Sequence, residues 1–214
     1  MPSHLKTNNS QTMKAFVING VYDLTSGNQP LQQIELPIPI VADNEMLIRV
    51  SCCGACHTEL DEIEGRTPPP HYPVVPGHQV VGCVEKCGSK ARLFKKGDRV
   101  GVAWIYSCCE QCEYCTSGRE NLCADFMATG RDANGGYAEL MKVPETSAFP
   151  IPLIFSDIEA APLRRSNWLP LAPAGPPAKR PDSWPDGLWS LRSPGAQNGP
   201  LFNAPIKGAG FCTK

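Results

Sequence analysis

Apolar and alternating runs recur along the first two thirds of the chain, and each has the length of a β-strand. The runs are KAFVI from Lys14, EMLIRVSC from Glu45, VVGCVEKCG from Val80, DRVGVAW from Asp98 and GGYAELMKV from Gly135. Glycine, proline and aspartate separate them, and the pair Gly97-Asp98 is expected to form a turn. Short strands punctuated in this way are typical of a β-barrel or sandwich. The pattern therefore predicts a mainly β domain.

This pattern stops after residue 163. Ser156 is a good helix N-cap, and Glu159 stands three residues later, where its carboxylate completes a capping box, so a helix is expected to begin there. Beyond that point neither a helical nor a strand period continues. Residues 164–214 hold 9 of the 22 prolines, three of the four tryptophans and 1 of the 11 cysteines. Their net charge is +5, against −6 for residues 1–163, and this break divides the chain.

The totals exclude several classes of protein. A hydrophobic content of 42% is enough for a core, and a net charge of −1 gives no overall attraction to nucleic acid or to an anionic membrane. Residues 1–12 are polar and lack the apolar centre of a signal peptide, and no apolar run approaches the roughly 20 residues of a membrane span. We expect a flexible segment over residues 1–12, a cytoplasmic location, and neither a nucleic-acid nor a membrane partner.

The densest group of candidate metal ligands is the stretch CCEQCEYCTSGRENLC. Four of its cysteines are spaced C-x2-C-x2-C-x7-C: Cys109, Cys112, Cys115 and Cys123. Four thiolates on tight loops suit the closed tetrahedral shell of a structural zinc ion. Free or disulfide-bonded thiols, an iron–sulfur site and a nucleic-acid-binding zinc module remain alternatives. The odd cysteine count speaks against disulfides, the nearby acidic residues speak against nucleic acid, and Cys108 is interpreted as a bystander.

A second candidate site is looser. Cys56 lies in CCGACHTEL and His78 lies in VVPGHQVVG, and both residue types bind zinc. A buried thiol and a structural histidine explain the same residues equally well. Thr58 lies two residues after the cysteine, where its hydroxyl could relay a proton from an alcohol.

Taken together, the motifs CGACHTEL, VPGHQVVG, KKGDRVGV, the four-cysteine stretch, GGYAEL and SDIEAAPL occur in a specific order. That order resembles the zinc-dependent alcohol dehydrogenases of the medium-chain dehydrogenase/reductase superfamily, over about residues 13–163. The resemblance implies a GroES-like, partly open barrel with a zinc-binding loop lobe over residues 13–163. In the family a Rossmann domain for NAD or NADP follows, and a small alcohol or aldehyde is the substrate; the oligomeric state stays open.

The resemblance also implies a role for each matching residue. The four spaced cysteines would hold the structural zinc, with one ion expected in residues 14–163. Cys56 and His78 would be two ligands of a catalytic zinc, Thr58 the proton relay, and His57 a contact to the cofactor pyrophosphate. Gln79 stands where the family usually has glutamate, so the role of that side chain beside the catalytic zinc is altered.

A larger departure follows the motif AAPL. The family continues there into a stretch like LCAGAIGYRSL, whose cysteine is the third protein ligand of the catalytic zinc, whereas this chain has RRSNWLPL. Codons permitted for residues 163–169, read one base later, encode C-A-G-A-I-G followed by tyrosine. Tryptophan has the single codon TGG, so the same shift turns Trp168, Trp184 and Trp189 into glycines. These glycines fall on the two glycine motifs of the family, so the sequence predicts a frameshift near Leu163.

The chain as written is therefore expected to lack the third zinc ligand and the Rossmann domain, and to be inactive. Residues 164–214 would form an out-of-frame, disordered tail, in which Cys212 is too remote to replace the missing ligand. The alternative is a non-catalytic fragment that binds only the structural zinc.

Overall fold

A computed structural model describes residues 11–162, and strands dominate this range. The tail predicted over residues 164–214 lies outside the described residues, as do residues 1–10 of the predicted flexible segment. The first strand begins at Thr12, one residue before the start that the family resemblance suggests.

Nine strands and three short α-helices make up the described range. The strands are β1 Thr12–Ile18, β2 Leu31–Pro37, β3 Glu45–Gly54, β4 Gln79–Cys87, β5 Arg99–Val102, β6 Ile105–Ser107, β7 Met127–Ala128, β8 Leu140–Pro144 and β9 Ala148–Pro150. The helices are α1 His57–Ile63, α2 Glu113–Thr116 and α3 Asp157–Ala160. Three 3₁₀ turns accompany them, at Leu24–Ser26, Glu120–Leu122 and Glu145–Ser147.

The strands form one large sheet and two hairpin-like pairs. The five-stranded sheet has the order β8-β3-β4-β5-β9, while β1 pairs with β2 and β6 pairs with β7, all antiparallel. The β1–β2 pair joins the rest of the domain through the backbone, since the Phe16 N–H donates to the Tyr137 carbonyl at 2.8 Å and the Ile18 N–H donates to the Val74 carbonyl at 2.9 Å. The sheets curve around a core without closing, which confirms the predicted mainly β, partly open architecture.

The core lies between the central strands β3 and β4 and the β1–β2 pair. Its most deeply buried side chains are apolar and include Met46, Ile48, Val80, Val84, Val100, Val102 and Val143. The β3–β4 pairing shifts register at two places: Glu85 of β4 is the extra residue opposite Leu47 and Ile48, and Ser51 of β3 is the extra residue between Val50 and Cys52. Such bulges increase local twist and bend the strand, which helps the sheet to wrap around its core.

Two local predictions can be checked directly. Gly97 adopts a positive φ of 93° between β4 and β5, as the predicted turn requires. Ser156 caps α3, with its hydroxyl accepting from the Glu159 N–H at 3.3 Å and the Glu159 carboxylate accepting from the Ser156 N–H at 3.0 Å. Both predictions are confirmed. Within residues 11–162, no helix is long and apolar enough to cross a membrane.

Candidate zinc-binding sites

Helix α1 fixes the position of Cys56. The chain leaves β3 at Gly54, and Cys56 takes an extended conformation as the N-cap of the helix. Its backbone N–H donates to Glu59 Oε2 at 2.6 Å, so the glutamate closes the first turn back onto the cap. The Cys56 thiol is half-buried and lies 3.6 Å from the Thr58 hydroxyl. The helix start thus places a thiol and a hydroxyl side by side.

His78 reaches the same place from the neighbouring strand, because it directly precedes β4 and the first residue of β4, Gln79, pairs with Gly54 at the end of β3. The residue before it, Gly77, has φ +96°, and a Cβ there would lie 2.4 Å from the Tyr137 ring and 2.9 Å from the Cys53 sulfur. Only glycine fits at this position, because it tolerates a positive φ and has no Cβ to clash with Tyr137 or Cys53. The tight backbone turn directs His78 into the interior, where it is 4% exposed.

Cys56, His78 and Glu59 form a buried polar cluster. Glu59 Oε1 lies 2.8 Å from His78 Nδ1, and both side chains are 5% exposed. Burial by itself would raise the pKa of Cys56, but hydrogen bonds from His78 and Thr58 bring it down to about 7. Burial would lower the pKa of His78, yet Cys56 and Glu59 raise it to about 10. The cluster therefore favours a thiolate at Cys56, which is the form that binds a metal.

The predicted catalytic residues divide into two groups by position. Thr58 joins the cluster, whereas His57 is exposed and its Nε2 lies 3.8 Å from Asp61 Oδ1 one turn along the helix. Gln79 is 3% exposed at the start of β4 and packs against Gly54, where a Cβ would lie 2.5 Å from Gln79 Oε1. The structure brings Cys56, Thr58 and His78 together, places Gln79 next to them along the chain, and leaves His57 at the surface.

Two glutamates of α1 were missed by the sequence reasoning. Glu59 contacts His78, and its position three residues after the N-cap Cys56 is the capping-box spacing that the sequence already shows. Glu62 is fully buried, and neither of its carboxylate oxygens has a hydrogen-bond partner among residues 11–162. Burial and the neighbouring Glu59 carboxylate raise the pKa of Glu62 to about 8. Nothing in the sequence marked this glutamate, because several of its neighbours on the helix are also acidic.

The four spaced cysteines converge in a loop lobe between β6 and β7. Helix α2 and the 3₁₀ turn Glu120–Leu122 fold the loop back on itself, so that the four sulfur atoms all lie within 4.8 Å of one another. The Cys109–Cys115 and Cys112–Cys115 sulfur separations are 3.8 and 3.6 Å. A tetrahedron of sulfur atoms about 2.3 Å from zinc has edges of about 3.8 Å. The lobe therefore has the dimensions of a zinc–tetrathiolate centre.

Backbone amides support the same sulfur atoms. The Cys112 N–H donates to the Cys109 sulfur at 3.3 Å, and the Cys109 N–H donates to the Cys123 sulfur at 3.5 Å. Backbone hydrogen bonds from Gln111 and Cys112 lower the pKa of Cys109 to about 7. Amide donors stabilise thiolates, so the loop is preorganised for a cation.

Two residues depart from an ideal lobe. Glu110 is exposed and has φ +58°, a left-handed conformation that costs a residue with a side chain more than it costs glycine. Cys108 is half-buried and does not belong to the group of four.

Residues 42–153 match the family described as the alcohol dehydrogenase GroES-like domain. The chain belongs to this family. It is a member of the medium-chain dehydrogenase/reductase superfamily of zinc alcohol dehydrogenases. An alcohol dehydrogenase of Geobacillus stearothermophilus is 41% identical over 136 residues, which cover 63% of this chain and 40% of that enzyme.

Solved structures show the same relationship. A cinnamyl alcohol dehydrogenase of Sorghum bicolor superposes with a TM-score of 0.63 at 32% identity, covering 72% of this chain and 44% of that one. A thermostable alcohol dehydrogenase of Pyrobaculum aerophilum, solved with cobalt and zinc, gives 0.64 at 27% identity, covering 72% and 45%. The chain thus spans less than half the length of these relatives. The predicted third-ligand position and Cys212 lie outside the described residues.

Proposed function

We propose that this protein is built for zinc-dependent, NAD(P)-linked oxidation of an alcohol to an aldehyde or ketone. The observation that carries the proposal is the buried cluster of Cys56, His78 and Glu59, with the Thr58 hydroxyl beside the thiol. A thiol and an imidazole are zinc ligands, and a carboxylate on the far nitrogen of the imidazole is the usual support for such a ligand. Family membership supports alcohol oxidation as the reaction of this cluster.

Each side chain of the cluster has a separate task. Zinc, when bound, acts as a Lewis acid that lowers the pKa of the alcohol hydroxyl. Cys56 and His78 would hold the ion, and Glu59 orients the imidazole through Nδ1, which leaves Nε2 to face the metal. Thr58 Oγ1 can accept the proton of the alcohol and donate its own proton onward, because a hydroxyl both donates and accepts.

His57 is the proposed contact to the cofactor. Its imidazole is 70% exposed, so a phosphate group can reach it. An imidazole N–H at the surface can donate a hydrogen bond to the pyrophosphate of NAD or NADP. Gln79, as a neutral amide, would support the catalytic site by packing against β3 rather than by charge.

The four-cysteine lobe would hold a second, structural zinc ion. Its four thiols leave no open ligand position, so the ion would stabilise the loop rather than act on substrate. Support comes from the sulfur separations and from the amide donors to Cys109 and Cys123.

The coding frame decides whether the catalytic site is complete. We propose that the frame changes near Leu163 and that the frame one base later encodes the third zinc ligand and the glycine-rich turn of a Rossmann domain. The test is to sequence the coding DNA from Ile158 to Ser193. Discovery of an inserted or omitted base would restore the family sequence, whereas confirmation of the printed frame would contradict the sequencing-error explanation and leave the chain inactive.

Activity is tested on the purified protein in its confirmed frame. Reduction of NAD⁺ and of NADP⁺ is followed with ethanol and with cinnamyl alcohol. Cys56→Ser should lower kcat/KM on the order of 100-fold or more, because it removes a proposed zinc ligand. The matched control is Cys83→Ser, since Cys83 is an exposed thiol on β4. Equal activity in the two variants would contradict the proposed catalytic site.

A second candidate is a non-catalytic zinc-binding protein. One observation favours it: in the described part of the chain, only the four-cysteine lobe brings three or more ligand atoms within 4.8 Å of one another. In this case the purified chain would hold one zinc ion, lose it in Cys112→Ser, and show no alcohol oxidation with either nucleotide.

A further inference from the structure

The turn that leads into His78 is bound by a second loop, residues 130–137, which we call the clasp. Three successive carbonyls of the turn accept backbone N–H groups from the clasp: Val75 from Gly135 at 2.7 Å, Pro76 from Tyr137 at 3.0 Å and Gly77 from Gly136 at 2.8 Å. His78 follows these residues directly. The position of the histidine backbone therefore depends on the clasp.

The turn and the clasp also pack backbone against backbone. A Cβ added to Gly135 would lie 2.1 Å from the Gly77 carbonyl oxygen, and one added to Gly130 would lie 2.8 Å from the Gly77 nitrogen. So close an approach leaves no room for side chains between the two segments. A shift of the clasp would therefore be passed directly to Gly77 and on to His78.

One side chain of the clasp takes part in this bonding. Asn134 Oδ1 accepts the Val75 N–H at 2.9 Å, so Asn134 and Gly135 together bind both backbone groups of Val75. Val75 is 1% exposed, and a buried N–H that loses its acceptor is costly. Asn134 itself is exposed, so replacing it leaves the core packing in place.

We propose that Asn134 is a positioning residue for His78, the histidine ligand of the catalytic zinc. This proposal rests on the catalytic site proposed above. Asn134 acts through the backbone: its amide oxygen fixes Val75, and the turn then directs the imidazole towards Glu59, where Nδ1 and Oε1 are 2.8 Å apart. Groups behind the ligands of a metal commonly set the orientation of those ligands.

The role requires only a hydrogen-bond acceptor at position 134. An aspartate carboxylate accepts in place of the amide oxygen, so Asn134→Asp should preserve the role. Asn134→Ala removes the acceptor, and Asn134→Leu removes it while keeping a similar shape, in case alanine disturbs the fold. Asn28→Ala is the matched control, because Asn28 is exposed and its amide donates to the Asp23 carbonyl and the Ser26 hydroxyl, outside the clasp.

The experiment uses the full purified chain, with the unmodified protein and the four variants prepared at the same zinc content. NMR measures two local quantities: the hydrogen-exchange rate of the Val75 amide and the ¹⁵N signals of the His78 ring. Chemical denaturation measures the unfolding free energy of each protein, so that a local effect is separated from a global loss of stability.

In Asn134→Ala and Asn134→Leu the Val75 amide should exchange roughly 5- to 10-fold faster, because the hydrogen bond that protects it is lost. The His78 ring signals should shift in the same two variants, while Asn134→Asp and Asn28→Ala keep the signals of the unmodified chain. Unchanged His78 signals in both loss variants, or a failure of Asn134→Asp to preserve them, would overturn the proposal.

Alcohol oxidation by the unmodified chain is measured separately. Its absence would count against the proposed function alone, because the signals of the His78 ring report its surroundings without turnover.

Discussion

Glu59 Oε1 lies 2.8 Å from His78 Nδ1, and both side chains are 5% exposed. The other carboxylate oxygen, Oε2, accepts the Cys56 N–H at 2.6 Å. The Glu59 carboxylate therefore contacts both of the proposed ligands of the catalytic zinc: the side chain of His78 and the backbone of Cys56. Removing this carboxylate should loosen both.

The first prediction concerns Glu59→Gln. The pKa of His78 should fall by about 1–2 units in metal-free protein, because an adjacent carboxylate stabilises the protonated imidazole. NMR titration of the histidine ring protons measures this change. Asp61→Asn on the same helix is the control, since Asp61 lies near His57 instead. A His78 pKa that is unchanged in Glu59→Gln would contradict the proposed support.

The second prediction compares two glycines with similar backbones. Gly77 and Gly97 have φ of +96° and +93°, but a Cβ at Gly77 would clash with Tyr137, whereas one at Gly97 has nothing within 4 Å. Gly97→Ala should cost about 1–2 kcal/mol from backbone conformation alone. Gly77→Ala should cost about 1–3 kcal/mol more and displace His78. Chemical denaturation measures the loss of unfolding free energy in both variants. Equal losses would show that the packing around Gly77 is unimportant.

The third prediction concerns the buried carboxyl of Glu62. Its folded pKa of about 8 exceeds the ordinary value of 4.5, so the folded state holds the proton more tightly. The contribution of this group to stability is therefore greatest below pH 4.5, falls as the pH rises from 4.5 to 8, and is lost above 8. Glu62→Leu should remove this slope and raise the unfolding free energy by about 1–4 kcal/mol at pH 8.

The measurement for Glu62 is denaturation at several pH values. Glu113→Gln is a suitable control, because Glu113 is 85% exposed. A pH slope that survives in Glu62→Leu would place its origin in another group. Loss of stability in Glu62→Leu would show that the carboxyl has a favourable partner.

The fourth prediction concerns the left-handed residue of the cysteine lobe. Glu110→Gly should stabilise the zinc-loaded protein by about 0.5–1 kcal/mol, because glycine adopts a φ of +58° without steric cost. Glu113→Gly is the matched comparison, since Glu113 is the first residue of α2, and there glycine should destabilise by about 0.5–1 kcal/mol. Thermal unfolding measures the change in stability of each variant. A change of the same sign in both variants would contradict this account.

The sequence predicted the parts of the fold that rest on local patterns. The runs at β3 and β4 are long and apolar, and each of them forms a strand in the central sheet. The capping box at Ser156 is a local arrangement too, and it was recognised. Strands such as β6 and β7 have three and two residues, which is too short for any period to show.

The candidate sites were predictable to different degrees. The four cysteines of the lobe lie within one stretch of 15 residues, so their spacing alone indicated a cluster, and the short turns of the loop bring their sulfur atoms together. Cys56 and His78 are 22 residues apart, and only the β3–β4 pairing and the turn at Gly77 bring them together. Glu62 could not be found in advance, because its burial depends on how α1 packs.

The most direct test of this account is zinc X-ray absorption on the double variant Cys56→Ser/His78→Ala, in which only the cysteine lobe can bind the metal tightly. The account predicts one zinc ion per chain with four sulfur ligands at about 2.3 Å. A metal-free protein, or a zinc ion with nitrogen or oxygen ligands in place of sulfur, would contradict it.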